Sequence, residues 1–149
     1  MPNEQVVDLT IRAVRTSDAA ALARLMCELG YETTMAEMET RLQNIAADAR
    51  YRTLVAVVQG NVQGMIGTFA HHSFEHNDLS GRILALVVTL TARRRGIGQQ
   101  LIAAAENDFA QRNIQRIALD TRFAREHAHQ FYEALGYRRN GFRFVKTLD

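Results

Sequence analysis

The sequence predicts a mixed α/β fold in a single domain of 149 residues, with a central sheet of about six to seven strands and four flanking helices. Three observations predict it. Short β-branched runs alternate with longer stretches whose apolar residues recur at helical spacing. The Val-rich run Ile83 to Val88 passes through a Gly-x-Gly turn into a helical stretch and then into Ile114 to Leu119. A strand–helix–strand unit of that size favours a parallel pair with a right-handed crossover. Hairpin signals at Gln59-Gly60-Asn61 and Asn140-Gly141 join their flanking strands antiparallel.

The elements follow in order. Val6 to Val14 is β-branched and partly alternating, a first strand. Thr16, Ser17 and Asp18 offer helix caps, Leu22, Leu25, Met26 and Leu29 form an apolar stripe, and Gly30 closes the helix. Cys27, beside that stripe, reads as a half-buried small hydrophobe, because no basic neighbour in the sequence activates its thiol. Thr34-x-x-Glu37 is a capping box opening a second helix, faced by Met35, Met38, Leu42 and Ile45 and ending near Asp48. Arg52 to Val58 and Val62 to Ser73 make a hairpin, with Gly64 and Gly67 marking bends or bulges. His71, His72 and His76 then cluster with Glu75 and Asp78 without a recognised ligand spacing, so a polar hairpin is expected there and no metal site.

Arg82 to Leu90 is the central strand. Its almost unbroken apolar core predicts burial on both faces. A third helix runs from about Gly96 to Gln111, packing through Leu101, Ile102, Ala105 and Phe109, and Ile114 to Leu119 is the fifth strand. A fourth helix spans Arg125 to Leu135, with Ala128, Phe131, Tyr132 and Leu135 on one face and Gly136 at its end. Tyr137 starts a short strand, and Phe142 and Phe144 alternate in a last one ending near Leu148.

Composition bounds the function. At 47% hydrophobic and 23% charged residues the chain is an ordinary globular protein, neither disordered nor fibrous. A net charge of +2 is too weak to argue for a nucleic-acid partner. The lone Cys27 excludes a disulfide framework and a Cys-rich zinc site. The opening Met-Pro-Asn-Glu-Gln carries no signal pattern, and no apolar run reaches a membrane span, so a cytoplasmic protein with no membrane partner is expected.

The informative stretch is Arg93-Arg94-Arg95-Gly96-Ile97-Gly98-Gln99. A helix N-terminus already carries about half a positive charge and ordinarily attracts Asp or Glu. Here three arginines precede the helix, and its first carboxylate is Glu106. That crowding is self-repulsive unless an anion lies among the guanidinium groups. Gly96 and Gly98 let backbone N–H groups approach it closely. The stretch therefore reads as a phosphate-cradling turn. It is not a P-loop, having no Lys or hydroxyl residue after Gly98, nor a dinucleotide turn, since position 101 is Leu.

Arg-x-x-Gly-x-Gly (Arg93, Gly96, Gly98) after a Val-rich strand resembles the acetyl-CoA loop of the GCN5-related N-acetyltransferases, the GNAT family. Ala128-His-Gln-Phe-Tyr-Glu-Ala-Leu-Gly-Tyr137 resembles the helix of the same family that ends in Tyr-Glu-x-Leu-Gly-aromatic. The motifs lie in the family's order, and with the strand–helix order the resemblance covers nearly the whole chain. It implies a mostly antiparallel sheet with a parallel strand pair splayed at the cofactor site, and acetyl transfer from acetyl-CoA to a primary amine by direct attack. It implies Val87, Val88, Arg93, Arg94, Arg95, Gly96, Ile97, Gly98 and Gln99 as cofactor-binding residues. A backbone N–H near Val88 would stabilise charge on the thioester oxygen. It also implies Tyr132 as the acid that protonates the departing thiolate.

Two departures stand out. Position 84, where members often carry a glutamate base, is Leu84, so the base is unassigned among His72, Glu75 and a water relay. The position of a frequent asparagine is Arg125, which is expected to reach a phosphate of coenzyme A instead. His129 belongs to an Ala-His-x-Phe-Tyr variant of the motif and receives no role beyond acceptor contact, and Tyr31 and Glu32 stand where the acceptor site is walled in the family. The acceptor is a small-molecule or peptide amine, and homodimerisation is expected from family habit alone. The competing reading, motivated by Leu84, is a non-catalytic acyl-CoA-binding sensor or regulatory module.

Overall fold

The structure is a computed structural model that describes residues 8–93, 95–121 and 126–148. Two compact units are resolved, Met1–Ala118 and Leu119–Asp149. Strands β1 (Leu9–Ala13), β2 (Tyr51–Val58), β3 (Asn61–His71), β4 (Ser80–Val88) and β5 (Ile117–Leu119) form one sheet in that order. Neighbours from β1 to β4 pair antiparallel, and β5 runs parallel to β4. Helices α1 (Ala19–Leu29), α2 (Met35–Ala46) and α3 (Ile97–Gln111) belong to the first unit, and α4 (Glu126–Ala134) to the second. No helix among the described residues is long and apolar enough to cross a membrane.

The sheet of the first unit is covered on both faces. On one, Leu22 and Leu25 of α1 and Met38 and Leu42 of α2 pack with Val55, Met65 and Val87. Each fully buried aliphatic side chain of this kind contributes roughly 1.5–3 kcal/mol. On the other lies the apolar stripe of α3, Ile97, Leu101, Ile102, Ala105 and Phe109, all at most 1% exposed. Gly81 of β4 makes that approach feasible, because a Cβ there would meet the Phe109 ring at 2.8 Å.

The capping box holds: Thr34 Oγ1 accepts from Glu37 N at 3.1 Å, and Thr34 N donates to Glu37 at 2.9 Å. The expected cap of α1 does not form. Thr16–Asp18 make a short 3-10 turn instead, and the Asp18 carboxylate is taken by Arg12, at 2.8 and 3.0 Å, and by Arg15 N at 2.7 Å. Cys27 is exposed rather than half-buried, its Sγ exchanging weak hydrogen bonds with Thr33.

Bulges stand beside both expected glycines. Ala56 pairs with Gly64 and Val57 with Val62, so Gln63 is an extra residue. Gly67 pairs with Ala85 and Thr68 with Ile83, so Leu84 is another. The second bulge makes one exception to the two-sided burial expected of the central strand, whose other residues are buried or half-buried. Gly81 abuts Phe109 of α3, whereas Ala85 and Val87 pack into the α1/α2 cluster. The inserted residue reverses the alternation and leaves Leu84 itself 53% exposed.

The end of the chain differs from expectation most. Residues 137–148 form no strand, and Phe142, Phe144, Val145 and Leu148 are 78, 93, 74 and 82% exposed. Alternation supplies one apolar face but no ladder partner, and a strand without a partner does not persist.

Candidate active site

The first unit gathers most of the expected cofactor residues at the carboxyl end of β4. Val87 is buried at 3% exposure and Val88 is half-buried. The chain then turns through a short 3-10 segment, Leu90–Ala92, into the arginine run. Gly96, the residue before α3, has φ +80°, a conformation that strains any side chain and that glycine adopts freely. It supplies no side-chain cap, and there is no acid in the first turn of α3. The N–H groups of Ile97, Gly98 and Gln99, in the first turn of α3, stand at the positive end of the helix dipole, with the exposed Arg93 and Arg95 before them. Arg95 also lines a shallow cleft of about 160 Å³ with Gln59, Gln63, Thr91 and Ile97. This is the donor set that a diphosphate needs.

Hydrogen bonds fix the strand end. Thr89 N donates to Gln63 O at 2.8 Å, which ties the loop to the first bulge. Arg93 Nε donates to Val88 O at 3.0 Å, so this guanidinium is folded back onto the strand. Glu28, in the last turn of α1, accepts from Thr89 Oγ1 at 2.9 and 3.1 Å and from Leu90 N at 2.9 Å. Glu28 was not singled out by sequence reasoning. It lies 61 residues from Thr89, and an exposed Glu late in a helix carries no sequence signal for such a tie.

Leu84, at the position of the expected base, stands on its bulge with no carboxylate to offer. His71 ends β3, stacked on Phe69 with centroids 5.7 Å apart, and its Nδ1 lies 2.9 Å from His72 O. His72, Glu75 and His76 are exposed in the loop before β4. Among the described residues no three His, Cys, Asp or Glu side chains are grouped to hold a metal ion.

The second unit carries the tyrosine motif. Tyr132 is half-buried on α4, edge-on to Phe131 at 5.3 Å and to Tyr137 at 6.0 Å. Tyr137 N returns to Tyr132 O at 3.1 Å around Gly136, at φ +95°. The helix end that presents the phenol is therefore locally well fixed. Arg94 and Arg125 lie outside the described residues.

Comparison with known proteins matches residues 19–137 to the acetyltransferase (GNAT) family. The chain is 32% identical over 143 residues to the aminoalkylphosphonate N-acetyltransferase of Salmonella typhimurium (strain LT2), covering 93% of this chain and 90% of that protein. A GNAT family acetyltransferase from Staphylococcus aureus aligns with TM-score 0.82 at 26% identity, over 95% of this chain and 100% of that one. The aminoglycoside N-acetyltransferase AAC(6')-Iy, solved with CoA, shares the fold at TM-score 0.82 and 16% identity, over 94% of each chain. The match runs from the start of α1, through the arginine–glycine loop, to the residue that closes the tyrosine motif, and on that ground the chain belongs to the acetyltransferase (GNAT) family.

Proposed function

We propose that this protein is an acetyl-CoA-dependent N-acetyltransferase acting, as one domain spanning residues 1–149 in the cytoplasm, on the primary amine of a small molecule. One observation carries the reading: a helix N-terminus with no acid in its first turn, opened by a left-handed Gly96 and preceded by arginines. The amides of Ile97, Gly98 and Gln99, with Arg93, Arg94 and Arg95, hold the diphosphate of coenzyme A, and Arg125 reaches a further phosphate. Val87 and Val88 hold the acyl-bearing arm, and a backbone N–H there donates a hydrogen bond to the thioester oxygen as its negative charge grows. The acceptor attacks as the neutral amine. Its C–N bond forms as the C–S bond breaks, its proton leaves to a base or water chain, and Tyr132 returns a proton to the sulfur. The family match across residues 19–137 supports treating both units as one domain. The name of the Salmonella relative makes aminoalkylphosphonates the first amines to try.

Calorimetry with acetyl-CoA and a thiol-release screen across amine classes test this reading. Wild type is expected to bind and Gly98→Trp to lose most affinity. At least one amine should release thiol, and Tyr132→Phe should slow that release most at high pH, where solvent protons are scarce. Equal affinity of wild type and Gly98→Trp overturns the cradle. A second reading, a non-catalytic acyl-CoA sensor, is favoured by the exposed Leu84 at the expected base. It predicts binding with no thiol release from any amine.

A further inference from the structure

The cleft of about 160 Å³ beside the arginine–glycine loop lies wholly within the first unit, between that loop and the β2–β3 turn. Gln59, Asn61 and Gln63 line it from the turn, and Thr91, Arg95 and Ile97 from the loop. Two departures from regular structure build the turn side. Gln63 is the extra residue of the first β3 bulge, and such an insertion re-aims a side chain. Gln59 holds φ +50°, a left-handed conformation that is costly for a residue with a Cβ and that tight hairpins ordinarily give to Asn or Gly. Gly64 brings the two sides together. A Cβ there would meet Val87 O at 3.0 Å and Ile97 Cγ2 at 3.4 Å, so its absence lets β3 carry Gln63 close against the start of α3.

The polar groups of the cleft are not spent on one another. Among the described residues the side chains of Gln63, Thr91 and Arg95 make no hydrogen bond, and Asn61 Nδ2 makes only a long one, 3.4 Å to Gln59 O. Three carboxamides and a hydroxyl offer both donors and acceptors, with one guanidinium and no carboxylate. A phosphate placed here would face a single cation and three neutral amides. A neutral ring that carries an amino group and ring nitrogens is the better match. A carboxamide pairs with the N6/N7 edge of adenine through two hydrogen bonds, and a guanidinium stacks on an aromatic face. Size agrees, because the cleft is smaller than the roughly 300–1,000 Å³ of sites for drug-sized ligands and suits one ring system.

We propose that this cleft receives the adenine ring of acetyl-CoA, its amino edge read by the carboxamides of Gln59, Asn61 and Gln63 and its face covered by Arg95. The inference rests on the proposed function and adds to it that the β2–β3 hairpin selects the base of the nucleotide. Arg95 and Ile97 belong both to the cleft and to the proposed diphosphate cradle, so the ring lies one ribose away from the phosphates. The left-handed Gln59 and the inserted Gln63 are then kept for the contacts their side chains make.

Calorimetry of the full chain with CoA and with 1,N6-etheno-CoA, whose added ring ties up N1 and N6 of the base, tests the proposal beside Gln63→Ala and Gln59→Gly. Gln59→Gly relaxes the left-handed position, so its result is free of a folding defect. Wild type is expected to bind CoA about tenfold more tightly than the etheno compound, within the worth of one bidentate contact. Each variant should lose that preference by weakening CoA alone, with affinity for the etheno compound unchanged. Equal affinity of wild type for the two compounds overturns the inference and leaves the proposed function standing. A preference that survives in both variants also overturns it, since the base is then read elsewhere. Binding of neither compound by wild type overturns the proposed function, and this inference with it.

Discussion

Asp18 illustrates how one side chain can be diverted from the role its position suggests. It precedes α1 and is 6% exposed, but its carboxylate receives both Arg12 donors and Arg15 N instead of capping the helix. The Arg12 hydrogen bonds, more than any other cause, hold its carboxyl below the ordinary carboxylate range. A carboxyl depressed in the folded state stabilises the fold above its unfolded value, near about 3.9, and that contribution drains away as pH falls through the folded value. Asp18→Asn leaves Arg12 without its partner and is expected to cost about 1–3 kcal/mol at neutral pH. Denaturant titrations over a pH series check it: the gap between wild type and variant should narrow toward pH 3. A gap independent of pH would assign the loss to packing.

At the scale of elements, the carboxyl end of β4 is fixed from outside the strand. Glu28 of α1 holds Thr89 and Leu90, so the helix that helps build one core also sets where the arginine–glycine loop begins. Glu28→Ala is expected to weaken acetyl-CoA binding by about tenfold, the equivalent of about 1.4 kcal/mol, with Glu28→Gln intermediate. Calorimetry beside thermal melts checks it. Unchanged affinity with a lowered Tm would reduce Glu28 to a stabilising tie.

The helices were legible because their ends are written locally, as in Thr34 with Glu37 and in Gly30. The proposed anion site could be read for the same reason, since the charge anomaly that suggests it is contiguous from Arg93 to Gln99. The Leu84 bulge was not, because a run of apolar residues has no period in which an extra residue would register. Nor was Glu28, whose partners are distant in sequence. The strand expected over Phe142 and Phe144 was read from alternation, which reports a face but not the neighbour needed to complete it.

For the whole molecule, the mild net charge and the lone cysteine fit stability drawn from two apolar layers on a sheet. Phe109→Ala, which empties the centre of the layer that α3 lays on the sheet, is expected to cost about 3–5 kcal/mol. Denaturant titrations check it, and a loss under about 1 kcal/mol would show that this layer carries little of the stability.

The inserted residue in β4 also constrains what this chain can tolerate. Because Leu84 inverts sidedness, the segment before it and the segment after it are out of phase. Shortening the strand by one residue there would not be a local edit. It would turn either Gly81 and Ile83 or Ala85 and Val87 inside out, exchanging the layer that meets α3 for the layer that meets α1. The length of β4 is therefore as much a part of the fold's specification as its hydrophobicity, and descendants of this chain are freer to change what stands at position 84 than to lose the position.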